Sequence, residues 1–207
     1  MSPQGDTGAG PGSARLFLAL TPPAEARAHL AEATVPLRDQ ALRWVPAERF
    51  HVTVVFYGDV PVRRVDELVV RAGRAVARAG LTAPLRLRLA GAGRFGRHVL
   101  HVGLTGDVDG LPRLASLAAA AGRHLGVPVD DRAFTGHLTV ARAKGRVDLR
   151  PYVEALSSYE GPWWEADEVT LLRSRGGPAP SYEPVASWPL GTDAAGPEPG
   201  DGASLPG

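Results

Sequence analysis

The chain has 207 residues, 44% hydrophobic and 22% charged, which is enough to bury one sizeable core and excludes a wholly disordered polymer. A formal net charge of +1 gives no overall field to mark a nucleic-acid or membrane partner, so any functional basicity has to be local. With no cysteine there is no disulfide, thiolate metal site or thiol nucleophile; a reducing cytoplasm is compatible with this and is the expected location.

Residues 1–13 and 191–207 are rich in Gly, Pro, Ala and small polar or acidic side chains, and are predicted to be disordered tails around one domain over 14–190. The first of these has no basic segment followed by an apolar run, so it does not read as a signal peptide. No apolar stretch approaches the ~20 residues of a membrane span.

Arg15 to Leu20 reads as a short central strand. Thr21-Pro22-Pro23 then opens a helix to about Leu37, with Thr21 as its N-cap. Trp44-Val45-Pro46 reads as a connector into a strand from His51 that ends at Gly58-Asp59. A helix over Val62 to Ala79 follows, with Val65, Leu68, Val69, Ala72 and Val76 on one face and Gly80 as its stop. Pro84 to Ala90 alternates like a half-buried strand, a glycine-rich turn covers Gly91 to Gly96, and Arg97 to Leu104 returns as its hairpin partner. A helix over Leu111 to Leu125, a strand over Phe134 to Arg142, a helix over Leu149 to Ser158, and strands over Glu168 to Arg173 and Tyr182 to Leu190 complete the order. Each half of the chain thus contributes a histidine-bearing strand and two helices.

The informative stretches are His51-Val52-Thr53-Val54 and His137-Leu138-Thr139-Val140, which repeat one pattern too far apart for a hairpin. Alternation puts His51, Thr53 and Val55 on one face and Val52, Val54 and Phe56 on the other. Two such strands brought together would surround one small anion with two imidazoles and two hydroxyls. By the same parity Arg142, five residues after His137, faces away from the groove unless the strand is bulged.

The paired motifs resemble those of the 2H phosphoesterase superfamily. Arg15-Leu16-Phe17-Leu18-Ala19-Leu20, Leu42-Arg43-Trp44-Val45-Pro46, Phe56-Tyr57-Gly58, Val140-Ala141-Arg142 and Leu172-Arg173-Ser174 resemble its RNA 2′,3′-cyclic phosphodiesterase branch, the 2′-5′ RNA ligase-like proteins. The resemblance spans Arg15 to Leu190. It implies an α+β fold, bilobal and pseudo-symmetric, with two antiparallel sheets facing a central groove and helices outside. It also implies metal-independent hydrolysis of a 2′,3′-cyclic phosphate to a 2′-phosphate, with 2′-5′ RNA joining as the reverse reaction. Two departures stand out: Thr135-Gly136 replaces a commoner Arg-Pro, which removes one candidate phosphate contact, and His101 stands where an aromatic is commoner.

Histidine titrates near ~6.5, so one ring can be neutral while another carries a proton at one pH. Following the resemblance, His51 is the expected general acid and His137 the general base, although pseudo-symmetry alone leaves the two interchangeable. Thr53, Thr139 and Arg142 are the candidates for phosphate binding. Phe17, Phe56, Phe95 and His101 are the candidates for stacking on a nucleobase, and core packing is the rival reading of the aromatics. Gly91-x-Gly93-x-x-Gly96 matches a dinucleotide pattern only as text, because it joins two strands.

No cofactor or metal is expected: a zinc site on His51 and His137 has no nearby Cys or paired carboxylates. The expected partners are RNA ends or small nucleotides with a cyclic phosphate, and the expected state is a monomer. The alternatives are a phosphodiesterase for another terminal or cyclic phosphate, such as ADP-ribose cyclic phosphate, and a non-catalytic nucleotide- or RNA-binding module.

Overall fold

A computed structural model describes residues 12–82, 84–129, 132–176 and 181–191. The predicted tails over 1–13 and 191–207 fall almost wholly outside these residues, except that Ser13 already opens the first strand. The chain order is β1 (Ser13–Leu20), α1 (Ala24–Thr34), β2 (Leu42–Trp44), β3 (Val52–Pro61), α2 (Val65–Ala79), β4 (Leu85–Phe95), β5 (Val99–Gly106), α3 (Leu111–Arg123), β6 (His137–Ala143), α4 (Arg150–Ala155), β7 (Trp164–Ala166), β8 (Glu168–Arg175) and β9 (Ser181–Pro189).

All pairings are antiparallel, and the strands run β7-β4-β5-β6-β3-β1-β8-β9, with β2 on β6. The sheet is narrowest where β3 meets β6, through the single pair Val52↔Leu138. Either side of that waist lies one of the two expected antiparallel sheets. The first lobe is β3-β1-β8-β9, and the second is β7-β4-β5-β6 with β2. The lobes are not the two halves of the chain, because β8 and β9 return from the C-terminal end to extend β1. The helices are exchanged as well. From the second half, α3 packs on β3 and on α2, while α1 from the first half reaches Tyr159, whose hydroxyl lies 3.1 Å from His29 Nδ1.

Both lobes share one apolar core. Leu16, Leu18, Leu87, Leu89, Leu100 and Val102 are each at most 1% exposed and belong to one cluster. Tyr57, also fully buried, donates its hydroxyl to the carbonyl of Ala118 and so ties β3 to α3. No helix among the described residues is long and apolar enough to cross a membrane.

The sequence expectations differ from the fold where tertiary pairing overrides local pattern. Thr21 does not cap α1, whose N-cap is Pro23 with no side-chain hydrogen bond, and Pro36 converts the predicted last turn into a short 3₁₀ segment, Val35–Leu37. Trp44, read as the start of a connector, instead ends a strand, Leu42–Trp44, because this stretch lies on the edge of β6. β7 has no predicted counterpart: three residues are too few to show alternation. The glycine-rich stretch after Ala90 does not turn. Gly91, at φ +63°, is the extra residue of a bulge, and β4 continues to Phe95 before the chain reverses beyond Gly96.

Candidate active site

The two histidine strands are bulged at the same place. On β3, Leu18 pairs with Val55 and Ala19 with Thr53, leaving Val54 as the extra residue. On β6, Leu100 pairs with Ala141 and His101 with Thr139, leaving Val140 as the extra residue. A bulge points two successive side chains to one face and reverses the alternation beyond it. Accordingly Val54 and Val55 are both buried, as are Val140 and Ala141, and the residue five after each histidine comes round to the groove.

This corrects the parity reading at two positions. Val55, expected beside His51, lies in the core, and Phe56, expected on the far face, lines the groove. Arg142 reaches the groove by the condition stated for it, a bulged strand.

His51, Thr53, His137, Thr139 and Arg142 line one pocket at the waist. Val52 and Leu138 face each other in an antiparallel pair, so His51 lies on the side of Thr139 and His137 on the side of Thr53. Each imidazole is fixed by the backbone two residues before it. His51 Nδ1 lies 2.7 Å from the carbonyl of Arg49, and His137 Nδ1 lies 2.7 Å from the carbonyl of Thr135. A carbonyl only accepts, so Nδ1 donates in both cases and Nε2 is left as the nitrogen for chemistry. The contact at residue 135 is made by backbone, so threonine in place of arginine leaves it intact.

Each histidine also rests on rings. Phe17 and Tyr182 lie 4.8 and 5.0 Å from His51, while Phe95 and His101 lie 4.6 and 5.3 Å from His137, centroid to centroid. Phe17 is only 3% exposed and lies against His51 and Tyr182, so it is a floor under the imidazole rather than a free surface for a base. Phe95 is 42% exposed and stacks on His101 at 4.3 Å. His101 is admitted by Gly93, where a Cβ would come within 2.6 Å of its ring. Phe56 lies under the guanidinium of Arg15, 5.4 Å from ring centroid to Cζ.

Burial and neighbouring cations favour the neutral form of these rings. Burial pushes His51 down to about 4; the carbonyl of Arg49 opposes this, and the charges of Arg49, His137 and Arg142 add to it. His137 is lowered by burial and by Arg142, against its bond to Thr135. His101 is pushed down to about 4 by burial, then by His137.

Sequence reasoning missed Arg15, Arg43, Arg49, Ser174 and Tyr182 as pocket residues. Arg49 is two residues before His51 and gives its Nη2 to the hydroxyl of Tyr182 at 3.2 Å. Arg43 pairs across from Arg142. Four of these five residues fall within or beside the stretches that carried the family resemblance, which was the available signal; Tyr182 lies on β9, which carried none. The pocket lining holds four arginines and no carboxylate, as an anion site requires. Among the described residues, no three His, Cys, Asp or Glu side chains gather as a metal-binding group.

A family model described as the 2′-5′ RNA ligase superfamily matches residues 22–178. The chain belongs to that superfamily. This is the 2H phosphoesterase group that the paired motifs resemble. Among its curated relatives, an RNA 2′,3′-cyclic phosphodiesterase of Thermus thermophilus is 32% identical over 169 residues, covering 77% of this chain and 81% of that one. A protein of the same name from Escherichia coli is 31% identical, covering 85% of this chain and 96% of that one. Another, from Geobacillus stearothermophilus, is 31% identical over 77% of this chain, which spans half the length of that relative. Of solved structures, Escherichia coli LigT complexed with 3′-AMP superposes with a TM-score of 0.71 at 26% identity, covering 87% of this chain and 99% of that chain.

Proposed function

We propose that the superfamily member described here hydrolyses 2′,3′-cyclic phosphates at RNA ends or on small nucleotides to 2′-phosphates, without a metal, using His51 and His137 as the proton-transfer pair. The observation that carries this is the pair of imidazoles, each tied through Nδ1 to a backbone carbonyl, in one arginine-lined pocket with both threonines. The names of the Thermus and Escherichia relatives support the substrate class.

In the proposed reaction His137 Nε2 takes a proton from water as its oxygen attacks phosphorus. The P–O3′ bond breaks, and His51 Nε2 gives its proton to the departing 3′-oxygen. The products are a 2′-phosphate and a free 3′-hydroxyl, and the same sequence with an RNA 5′-hydroxyl in place of water is 2′-5′ joining, whose reversal regenerates the cyclic phosphate. Thr53 and Thr139 donate hydrogen bonds to the non-bridging oxygens, and Arg142 supplies a charge-assisted one.

Protonation of His51 is coupled to substrate. An anionic phosphate beside the ring opposes the burial and the neighbouring cations that hold it near 4, so the proton enters with the anion.

The test is incubation with EDTA and a short RNA ending in a 2′,3′-cyclic phosphate, followed by identification of the product. A 2′-phosphate upholds the assignment. A 3′-phosphate reverses acid and base, loss of turnover in EDTA removes the metal-free mechanism, and binding without turnover leaves a recognition module. Turnover of ADP-ribose cyclic phosphate in preference to RNA would move the substrate class.

A further inference from the structure

A second basic pocket lies next to the groove and takes no part in the proposed chemistry. The β4–β5 turn and the segment between β6 and α4 enclose about 440 Å³, and the lining carries Arg94, Arg97, Arg146 and Arg150 against one carboxylate, Asp148. That carboxylate is already engaged: Arg150 holds Asp148 at 2.7 Å, and these contacts lower its pKa to about 2. The pair neutralises itself and leaves Arg94, Arg97 and Arg146. Among the described residues, neither Arg97 nor Arg146 is held in an ion pair.

The place of this pocket is set by the strands that build the groove. Arg142 pairs with Val99, and the amide of Ala143 donates to the carbonyl of His98 at 2.9 Å, so the β4–β5 turn is laced to β6 as it leaves the site. Phe95 makes the link on the other side, between Arg94 of the second pocket and the ring of His137. Arg146 follows Arg142 by four residues, so their Cα atoms lie no more than about 14 Å apart, a span that a neighbouring part of one nucleic-acid strand can bridge. The antiparallel sense of the waist pair carries Arg49 and Arg142 to one end of the groove, and β6 continues from that end toward the second pocket.

We infer that this pocket is a second phosphate subsite, which holds an internal phosphodiester of the RNA strand whose terminal cyclic phosphate lies between His51 and His137. The inference rests on the proposed activity and refines its substrate class: oligonucleotides are favoured over mononucleotides. Guanidiniums suit this role, since they grip backbone phosphate without reading sequence.

The experiment uses the full chain carrying Arg97→Ala and Arg146→Ala together, with Arg74→Ala on α2 as a control for the loss of an exposed charge elsewhere. For a short RNA ending in a 2′,3′-cyclic phosphate, kcat/KM should fall about tenfold in the double variant. For a mononucleoside 2′,3′-cyclic phosphate it should stay within about twofold. Binding of a short fluorescein-labelled RNA with a 2′-phosphate end, followed across a salt series, should lose a log-log slope of about 0.7, the value for one phosphate contact on a single strand. Equal loss on both substrates, or a slope matching the Arg74→Ala control, overturns the subsite. If the wild type turns over neither substrate the proposed activity fails, and the salt series still decides the subsite by itself.

Discussion

The two lobes carry one backbone device and different side chains at its ends. Both place a bulge directly after the threonine of the motif, and both tie the histidine to the carbonyl two residues earlier. The flanks then diverge. In the first lobe the residue two before the histidine is Arg49 and the residue five after it is Phe56; in the second these are Thr135 and Arg142. Each lobe supplies one of these flanking arginines, from opposite ends of its strand, and the antiparallel waist brings the two to the same end of the groove. The charges of both Arg49 and Arg142 bear on His51. A symmetric backbone therefore builds an asymmetric field.

The severest way to break this comparison is to remove either imidazole. His51→Ala and His137→Ala should each slow turnover of an RNA 2′,3′-cyclic phosphate by about 10²–10⁴-fold, with the far-ultraviolet circular dichroism unchanged. A variant of either that keeps near-normal turnover shows that one lobe suffices and the pairing is decorative.

Next in size are the positions five residues on, where the lobes differ most. Arg142→Gln should lower kcat/KM by about 10- to 100-fold, the loss of one charge-assisted hydrogen bond. It should also move the pH profile. Arg142 lowers the pKa of both histidines, so without it both rise and the kcat/KM optimum shifts to higher pH. A fall in rate with an unmoved profile would mean that the arginine acts on phosphate alone. Phe56→Ala, at the equivalent position of the other lobe, should cost less than about fivefold on a mononucleotide. Equal losses at the two positions would show that the field is not what distinguishes the lobes.

The elements that period and punctuation announce were legible in sequence: α2 by its apolar face, β3 and β6 by alternation. The two tetrapeptides placed four groove residues correctly because these all precede the bulges. Beyond Val54 and Val140 alternation gives the wrong face, since a bulge is decided by pairing with β1 and β5 and leaves no local signature in two valines. Arg142 was open to reasoning only because its misfit was noticed. Tyr182 was illegible for a related reason: β9 joins the first lobe from the far end of the chain, and nothing in its own pattern names the strand it will extend.

The smallest expected effect concerns what lies beneath the rings. Under His51 are Phe17 and Tyr182; under His137 is a second histidine, His101. Burial keeps His101 near 4 in the folded protein, while in the unfolded chain it titrates near ~6.5. Between those values the unfolded state binds more protons, so stability rises with pH through this window and is lost as pH falls toward 4. From pH 7.5 to 5.0 a fully shielded ring would contribute a loss of about 2 kcal/mol, at 1.36 kcal/mol for each pH unit below ~6.5, and solvent screening of this half-buried ring reduces it to about 1 kcal/mol. His101→Phe keeps a flat ring against Phe95 and removes the titration. Urea unfolding at the two pH values should then show a pH-dependent loss smaller by about that amount, the remainder belonging to His51 and its neighbours. An unchanged difference would mean that His101 reaches solvent on protonation, and that the second lobe supports its imidazole less firmly than the first.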